Sequence, residues 1–232
     1  MYLKTERKIN SGKENNLSER EGVIKYRLEH KQNPLSPAID IGPINGWRSL
    51  FFRLGIIGQK PEKYHGLGYG NISQRLVPGQ SSFLISGTQT GHLAYLAPEH
   101  FAIVETASAK HNTIRSSGPS RPSSEALTHA GIYELAPSAQ AVIHVHCPEI
   151  WRHTRPLGLP YTAADIAYGS IEMAEAVERL FGSGQLGRFP IFSMLGHEDG
   201  IVAFGDSLAN AAQILLAQLA HALAIEQSPN AG

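Results

Sequence analysis

Cysteine is almost missing. Cys147 is the single one in 232 residues, so no intrachain disulfide can form and nothing in the chain calls for an oxidising compartment. Excess charge is missing too: 20 Lys and Arg balance 20 Asp and Glu, which removes the electrostatic footprint of a nucleic-acid or anionic-membrane binder. No apolar run approaches the length of a membrane span, and the opening MYLKTERKINSGKENN is charged where a secretory leader needs an apolar stretch. The expectation is a soluble, cytoplasmic protein. There is no internal repeat. GLGYGN is not a dinucleotide fingerprint, because it runs into the strand-like NISQRL instead of opening a helix.

What is present is enough apolar residue, 42%, to bury one sizeable core. Residues 1–22 are polar, rich in Lys, Glu, Asn and Ser, and are expected to form a disordered or loosely held arm. Residues 23–44 read as a strand and a Pro-rich linker. Ile24, Tyr26 and Leu28 alternate there with Lys25, Arg27 and Glu29, the period of a half-exposed strand at a sheet edge. Residues 45–225 form the main domain, and 226–232 a flexible tail.

Within that domain, Asn45 is placed as the N-cap of a helix carrying Trp47, Leu50, Phe51 and Leu54 on one face. Further helices are predicted over Pro98–Ile103, Ser123–Leu135 and Ile171–Phe181. Ser207 caps a last one, with Leu208, Ala211, Ala212, Leu215, Leu219 and Leu223 sharing a face. Strands and helices do not alternate at the spacing of a doubly wound parallel sheet. The fold class is therefore mixed α/β, with a mainly antiparallel sheet flanked by helices.

The run AVIHVHCPE carries the chemistry. Residues i and i+2 of a strand point to one face, so His144 and His146 project together while Ile143 and Val145 point the other way. Two imidazoles so placed make half a metal site, but an exposed histidine beside a satisfied core one would look the same, and zinc needs at least three protein ligands. Candidates for the rest are Glu125 in RPSSEALTH, expected in the first turn of a helix capped by Ser123 or Ser124, and His197 in FSMLGHEDG. His129, one turn beyond Glu125, is an alternate ligand with a packing role the better account.

GYGNIS, FLISGT, RPSSEALTH, AVIHVHCPE and LGHEDGIVAFG occur in the order and spacing of the class II aldolase/adducin family, which the chain resembles from Asn45 to Ile225. The resemblance implies a three-layer α-β-α fold. It also implies a divalent metal, zinc first and otherwise cobalt, manganese or iron, held by His144, His146 and His197, with Glu125 as a further ligand and catalytic base. Gly70, Asn71, Ser86, Gly87, Ser123 and Ser124 fall on the family's phosphate pocket. Gly-rich turns, hydroxyls and a helix N-terminus can hold a phosphate without Lys or Arg. The partners implied are a small phosphorylated substrate and further copies of the chain in a homotetramer.

Such a metal would stabilise an enediolate, common to retro-aldol cleavage and to dehydration, so the surrounding acids and bases choose the reaction. Two departures bear on that choice. The loop with the proton-donating tyrosine of the sugar phosphate aldolases is reduced to LPYTAADI, leaving Tyr161 and Asp165. LGHEDGI inserts Glu198 and Asp199 where relatives have Gly after the histidine. The leading expectation is a zinc-dependent aldolase-type lyase acting on a phosphorylated hydroxy-ketone, with Glu125, Asp165, Tyr161 and Glu198 as acid and base candidates. The alternatives are a sugar phosphate dehydratase or epimerase, and an adducin-like assembly module without catalysis.

Overall fold

Alternation of apolar and polar side chains lays the first strand along a sheet edge. Tyr26 is buried, Ile24 and Leu28 half-buried, and Lys25, Arg27 and Glu29 exposed. A computed structural model describes residues 23–227, so the expected N-terminal arm and most of the expected tail lie outside the described residues. The strand proper is β1 (Arg27–Gln32), later than the alternation suggested. There follow α1 (Gly42–Leu54), β2 (Gly58–Gln59), β3 (Gly68–Tyr69), β4 (Asn71–Arg75), β5 (Phe83–Ser86), β6 (Phe101–Ser108) and β7 (Thr113–Gly118). The second half holds α2 (Ala126–Leu135), β8 (Ala141–His146), α3 (Pro148–Arg152), β9 (Tyr161–Thr162), α4 (Ile171–Gly182), α5 (Gln185–Arg188), β10 (Ile191–Met194), β11 (Gly200–Gly205) and α6 (Leu208–Glu226).

Nine strands form one sheet in the order β1-β7-β6-β5-β4-β8-β11-β10-β9, while β2 and β3 pair separately. Only the two edge pairs, β1 with β7 and β9 with β10, are parallel, so the sheet is mainly antiparallel, as expected. Both faces are covered. Ile143, Val145, Ile201 and Ala203 pack with Ile44 and Phe51 of α1 and Leu215 of α6. Val142, Val202 and Ile85 pack with Leu127 and Ile132 of α2 and Met173 and Val177 of α4. The result is three layers, helix, sheet, helix. β8 lies near the middle, antiparallel to β4 and β11, with all six of its residues buried.

Local structure departs from expectation at five points. α1 begins at Gly42, because Pro43 suits a first turn whose N–H needs no partner. Asn45 is then inside the helix, and its side chain donates to Leu96 O and accepts from Leu96 N–H, at 2.8 and 2.9 Å, tying α1 to the loop before β6. Pro98–His100 is a single 3-10 turn, and Phe101–Val104 is strand, because an apolar run this short fits a buried strand as well as a helix. Glu125 precedes the first residue of α2, its N–H donating to the Ser123 hydroxyl.

The fifth point is α6. Ser207 caps it by accepting from Asn210 N–H, but Leu223 is exposed and Ala222 takes the buried position. By length and composition α6 is also apolar enough to cross a membrane, contrary to expectation. Interspersed Gln and Ala hide that in the sequence. Here its Leu208, Ala211, Ala212 and Leu215 lie on the core, and Gln213, His221 and Glu226 are exposed.

Asn45→Ala would leave both Leu96 backbone groups unpaired in a buried position, at a cost of about 2–4 kcal/mol. Urea unfolding should show that loss. A change below about 0.5 kcal/mol, the range of an indifferent surface substitution, would mean that water replaces the amide at no cost.

Candidate active site

β8 carries its two histidines into the core face shared with Val142. Strand register then sets their surroundings: Asn71 of β4 lies opposite His144, and Gly200 of β11 opposite His146. His197 arrives from the turn between β10 and β11. That turn needs a glycine before it, since a Cβ on Gly196 would fall 2.2 Å from the Ile166 carbonyl oxygen. One ligand atom from each of His144, His146 and His197 lies within 4.8 Å of the others, and all three residues are buried.

Protonation suits them to a cation. His144 Nδ1 lies 3.1 Å from the Ile201 carbonyl, which only accepts, so the proton sits on Nδ1 and the lone pair on Nε2. Burial, then the neighbouring His197 and His144, push His146 well below the ordinary histidine value, so it is neutral at pH 7. A buried cluster of three imidazoles could hold a divalent metal.

Glu125 is fully buried, with Oε1 3.4 Å from His197 Nδ1. Burial works to raise its carboxyl, but His144 and His197 more than offset that and hold it at about 2. It touches one edge of the cluster and is not among the three residues that all lie within ligand distance of one another. His129 is one turn further and also buried, its Nδ1 held 2.7 Å from the Ser73 hydroxyl, which also meets Tyr133 Oη at 2.9 Å. It serves as a packed support beneath Glu125.

Three tyrosines that sequence reading passed over wall the site. Tyr64 lies with its ring 4.4 Å from that of His146, and its hydroxyl donates to Asp199 Oδ2 at 2.7 Å. Tyr69 lies 5.4 Å from His146, and Tyr168 4.5 Å from His197. Burial, and next the bond to Asp199, raise the Tyr64 phenol. KYHGLGYG holds two of these rings without any periodicity, so nothing in the sequence reports their direction.

Beside the histidines, a cleft of about 20 Å³ is lined by Gly68, Gly70, Asn71, Ser123, Ser124 and the Gly87–Gly91 loop. Gly70 has φ +75°, and a Cβ there would lie 2.7 Å from Ile57 Cγ1, so the bend into β4 requires glycine. Five of the six expected phosphate-pocket residues are thus together. Ser86 is not with them: it is buried, and its hydroxyl accepts from Ile72 N–H. Thr88 to Gly91 were not anticipated.

The other acid and base candidates sit outside this enclosure. Tyr161 is 42% exposed and lines a separate depression with Leu180, Ser183 and Arg188. Asp165 is exposed in the turn whose Ala164 and Ile166 carbonyls leave no room for a Cβ at Gly196. Glu198 is exposed beside Lys63 and His65.

Residues 62–225 match the class II aldolase and adducin N-terminal domain. The chain belongs to that family. A methylthioribulose-1-phosphate dehydratase of Methylococcus capsulatus is 39% identical over 79 residues, 34% of each chain. One of Gluconacetobacter diazotrophicus is 36% identical over 77 residues, 33% of this chain and 34% of that one. This chain thus aligns with about a third of those relatives' length. Among solved structures, the L-fuculose-1-phosphate aldolase of Thermus thermophilus has a TM-score of 0.54 at 19% identity, covering 78% of this chain and 90% of the other. That likeness supports the fold alone.

His129 gives a pH test. Burial first, then His144, pull it from the ordinary 6.5 to about 3, against the pull of Glu125. The unfolded chain therefore binds a proton below about pH 6.5 that the folded chain refuses, and stability falls as the pH drops through that window. In urea unfolding of metal-free protein, His129→Gln should flatten that fall by up to about 1.4 kcal/mol per pH unit. An identical slope in the variant would mean that His129 is protonated in the fold.

Proposed function

We propose that this chain is a metal-dependent lyase that removes water from a small phosphorylated hydroxy-ketone. Zinc is the metal first expected from three histidines with further coordination positions open. The observation that supports the reading is the buried group of His144, His146 and His197 with Glu125 against its edge, opening beside a cleft of Gly-rich turns and serine hydroxyls. Aldol cleavage, the leading expectation from the residues, becomes the second reading. The relatives above 30% identity are named dehydratases, and the aldolase likeness rests on shape.

Each part of the chain has a task in that reaction. The bend at Gly70, the backbone of residues 89–91 and the hydroxyls of Ser123 and Ser124 grip the phosphate and fix how far the reacting carbons reach towards the histidines. A divalent metal held by His144, His146 and His197 would supply a Lewis acid to polarise the carbonyl. Glu125, ionised and buried, removes the proton from the carbon beside that carbonyl. The rings of Tyr64, Tyr69 and Tyr168 exclude bulk water. The protonated Glu125 carboxyl then returns that proton to the hydroxyl leaving the next carbon, so that water departs and Glu125 is ionised again. In cleavage the proton would leave a hydroxyl instead, and a carbon–carbon bond would break.

The test begins with elemental analysis of purified protein beside His146→Ala, which is expected to lose a near-stoichiometric metal. Ketose 1-phosphates, methylthioribulose 1-phosphate among them, are then assayed by mass spectrometry. Dehydration leaves one product lighter by a water; cleavage leaves two carbon fragments. Two fragments would overturn the dehydratase reading, and metal kept at full occupancy by His146→Ala would overturn the site. Glu125→Gln should keep the metal and lower kcat by about 10²–10⁴-fold. Unchanged kcat would remove Glu125 from its role.

A further inference from the structure

The family domain matches from residue 62 onwards, yet residues well before it reach the site. Lys25 Nζ donates to the Tyr168 carbonyl at 3.0 Å and lies 3.9 Å over the centre of the Tyr168 ring. Val23 N–H donates to Tyr168 Oη at 3.3 Å. Tyr168 is 1% exposed, and its ring lies 4.5 Å from that of His197 at 32°. One residue along, the buried Tyr26 hydroxyl donates to Ser123 O at 2.8 Å, and the Ser123 hydroxyl in turn accepts from Glu125 N–H. The segment is itself anchored: Asn112 Nδ2 donates to Lys25 O, and Arg27 N–H to Asn112 O.

We infer that Lys25 and Tyr26 are positioning residues for the metal site, acting on His197 through Tyr168 and on Glu125 through Ser123. The inference rests on the metal-site reading above. His197 stands on a turn, its N–H donating to Met194 O and its carbonyl accepting from Gly200 N–H, whereas His144 and His146 lie on a central strand paired on both sides. A cation over one aromatic ring, tied to the same residue's carbonyl, restrains the ring that packs on His197. Partners of this kind, which hold a ligand without touching the metal, are typically worth 10–100-fold in metal affinity. The segment leading into edge strand β1 thereby does more than start the sheet: it brings residues distant in sequence to bear on one imidazole. Tyr26 is thus occupied within its own chain.

The test uses Lys25→Met, which keeps the aliphatic stem and removes the charge and donors at an exposed position, and its conservative partner Lys25→Arg. Co2+ affinity is measured by competition with a chromophoric chelator, together with the visible Co2+ spectrum and the thermal melt of the metal-free protein. The expected result is about tenfold weaker Co2+ binding and an altered spectrum for Lys25→Met, with an unchanged metal-free melt and recovery in Lys25→Arg. Tyr26→Phe should weaken binding independently. Parent-like affinity and spectrum in both Lys25→Met and Tyr26→Phe would overturn the inference and leave the metal site standing. A parent protein that takes up no Co2+ would overturn the metal-site reading itself. Weaker binding that merely follows a lowered metal-free melt would assign these residues to folding and overturn the positioning role.

Discussion

A strand buried on both faces cannot carry two imidazoles at no cost, and the rest of the site is arranged around that constraint. β8 lies between β4 and β11 with every residue buried. Ile143 and Val145 meet α1 and α6 on one side, so His144 and His146 face the side of α2 and α4. Buried polar groups need partners, and the surrounding elements supply them. The Ile201 carbonyl takes the His144 proton, Tyr64 and Tyr69 close on His146, and Glu125 brings a negative charge to His197. Glu125 can be ionised there only because of these neighbours, since burial alone would keep it protonated. The four groups stand or fall together.

What was legible in the sequence follows from the range over which each feature is encoded. The pairing of His144 with His146 is a period-2 statement within one strand, and the Ser207 cap of α6 lies within one turn. Both are local, and both appear in the fold. The ordered motifs from GYGNIS to LGHEDGIVAFG made the third histidine and Glu125 legible at a distance. Asn45 failed as a cap because its partners, Leu96 N–H and O, lie across the core. Phe101–Val104 was ambiguous because a short apolar run has no decisive period. Tyr64 and Tyr168 were out of reach for the same reason as Asn45: what they contact depends on how two loops close.

The two reactions weighed in the proposal differ in which proton leaves, and the fold limits what can take it. Among the described residues Glu125 is the carboxylate buried against the histidines, whereas Asp165 and Glu198 are exposed. An acid enclosed with the substrate acts in low dielectric and without competition from water. In the elimination proposed above, a second proton-transfer group would have to be a wall residue of this enclosure, a group on the substrate, or a residue from another copy of the chain. Tyr161 and Asp165 stand outside it on their own chain and could serve only by the last route.

Glu198 and Asp199, expected from the sequence to depart from the family pattern after His197, show how such a pair can be absorbed by structure. Asp199 adopts φ +60°, a conformation Asp tolerates better than most side chains, and this reverses the chain into β11. Its carbonyl accepts from Cys147 N–H at 2.8 Å, just past His146, and its carboxylate accepts from Tyr64. The insertion thus joins three parts of the site: the turn bearing His197, the end of β8, and the Tyr64 loop, where Tyr64 and His65 also take positive φ. A glycine would close the turn with equal ease but would have no carboxylate to offer Tyr64. Asp199 therefore serves as a tie between loops, and Glu198, exposed beside it, completes the turn that the tie requires.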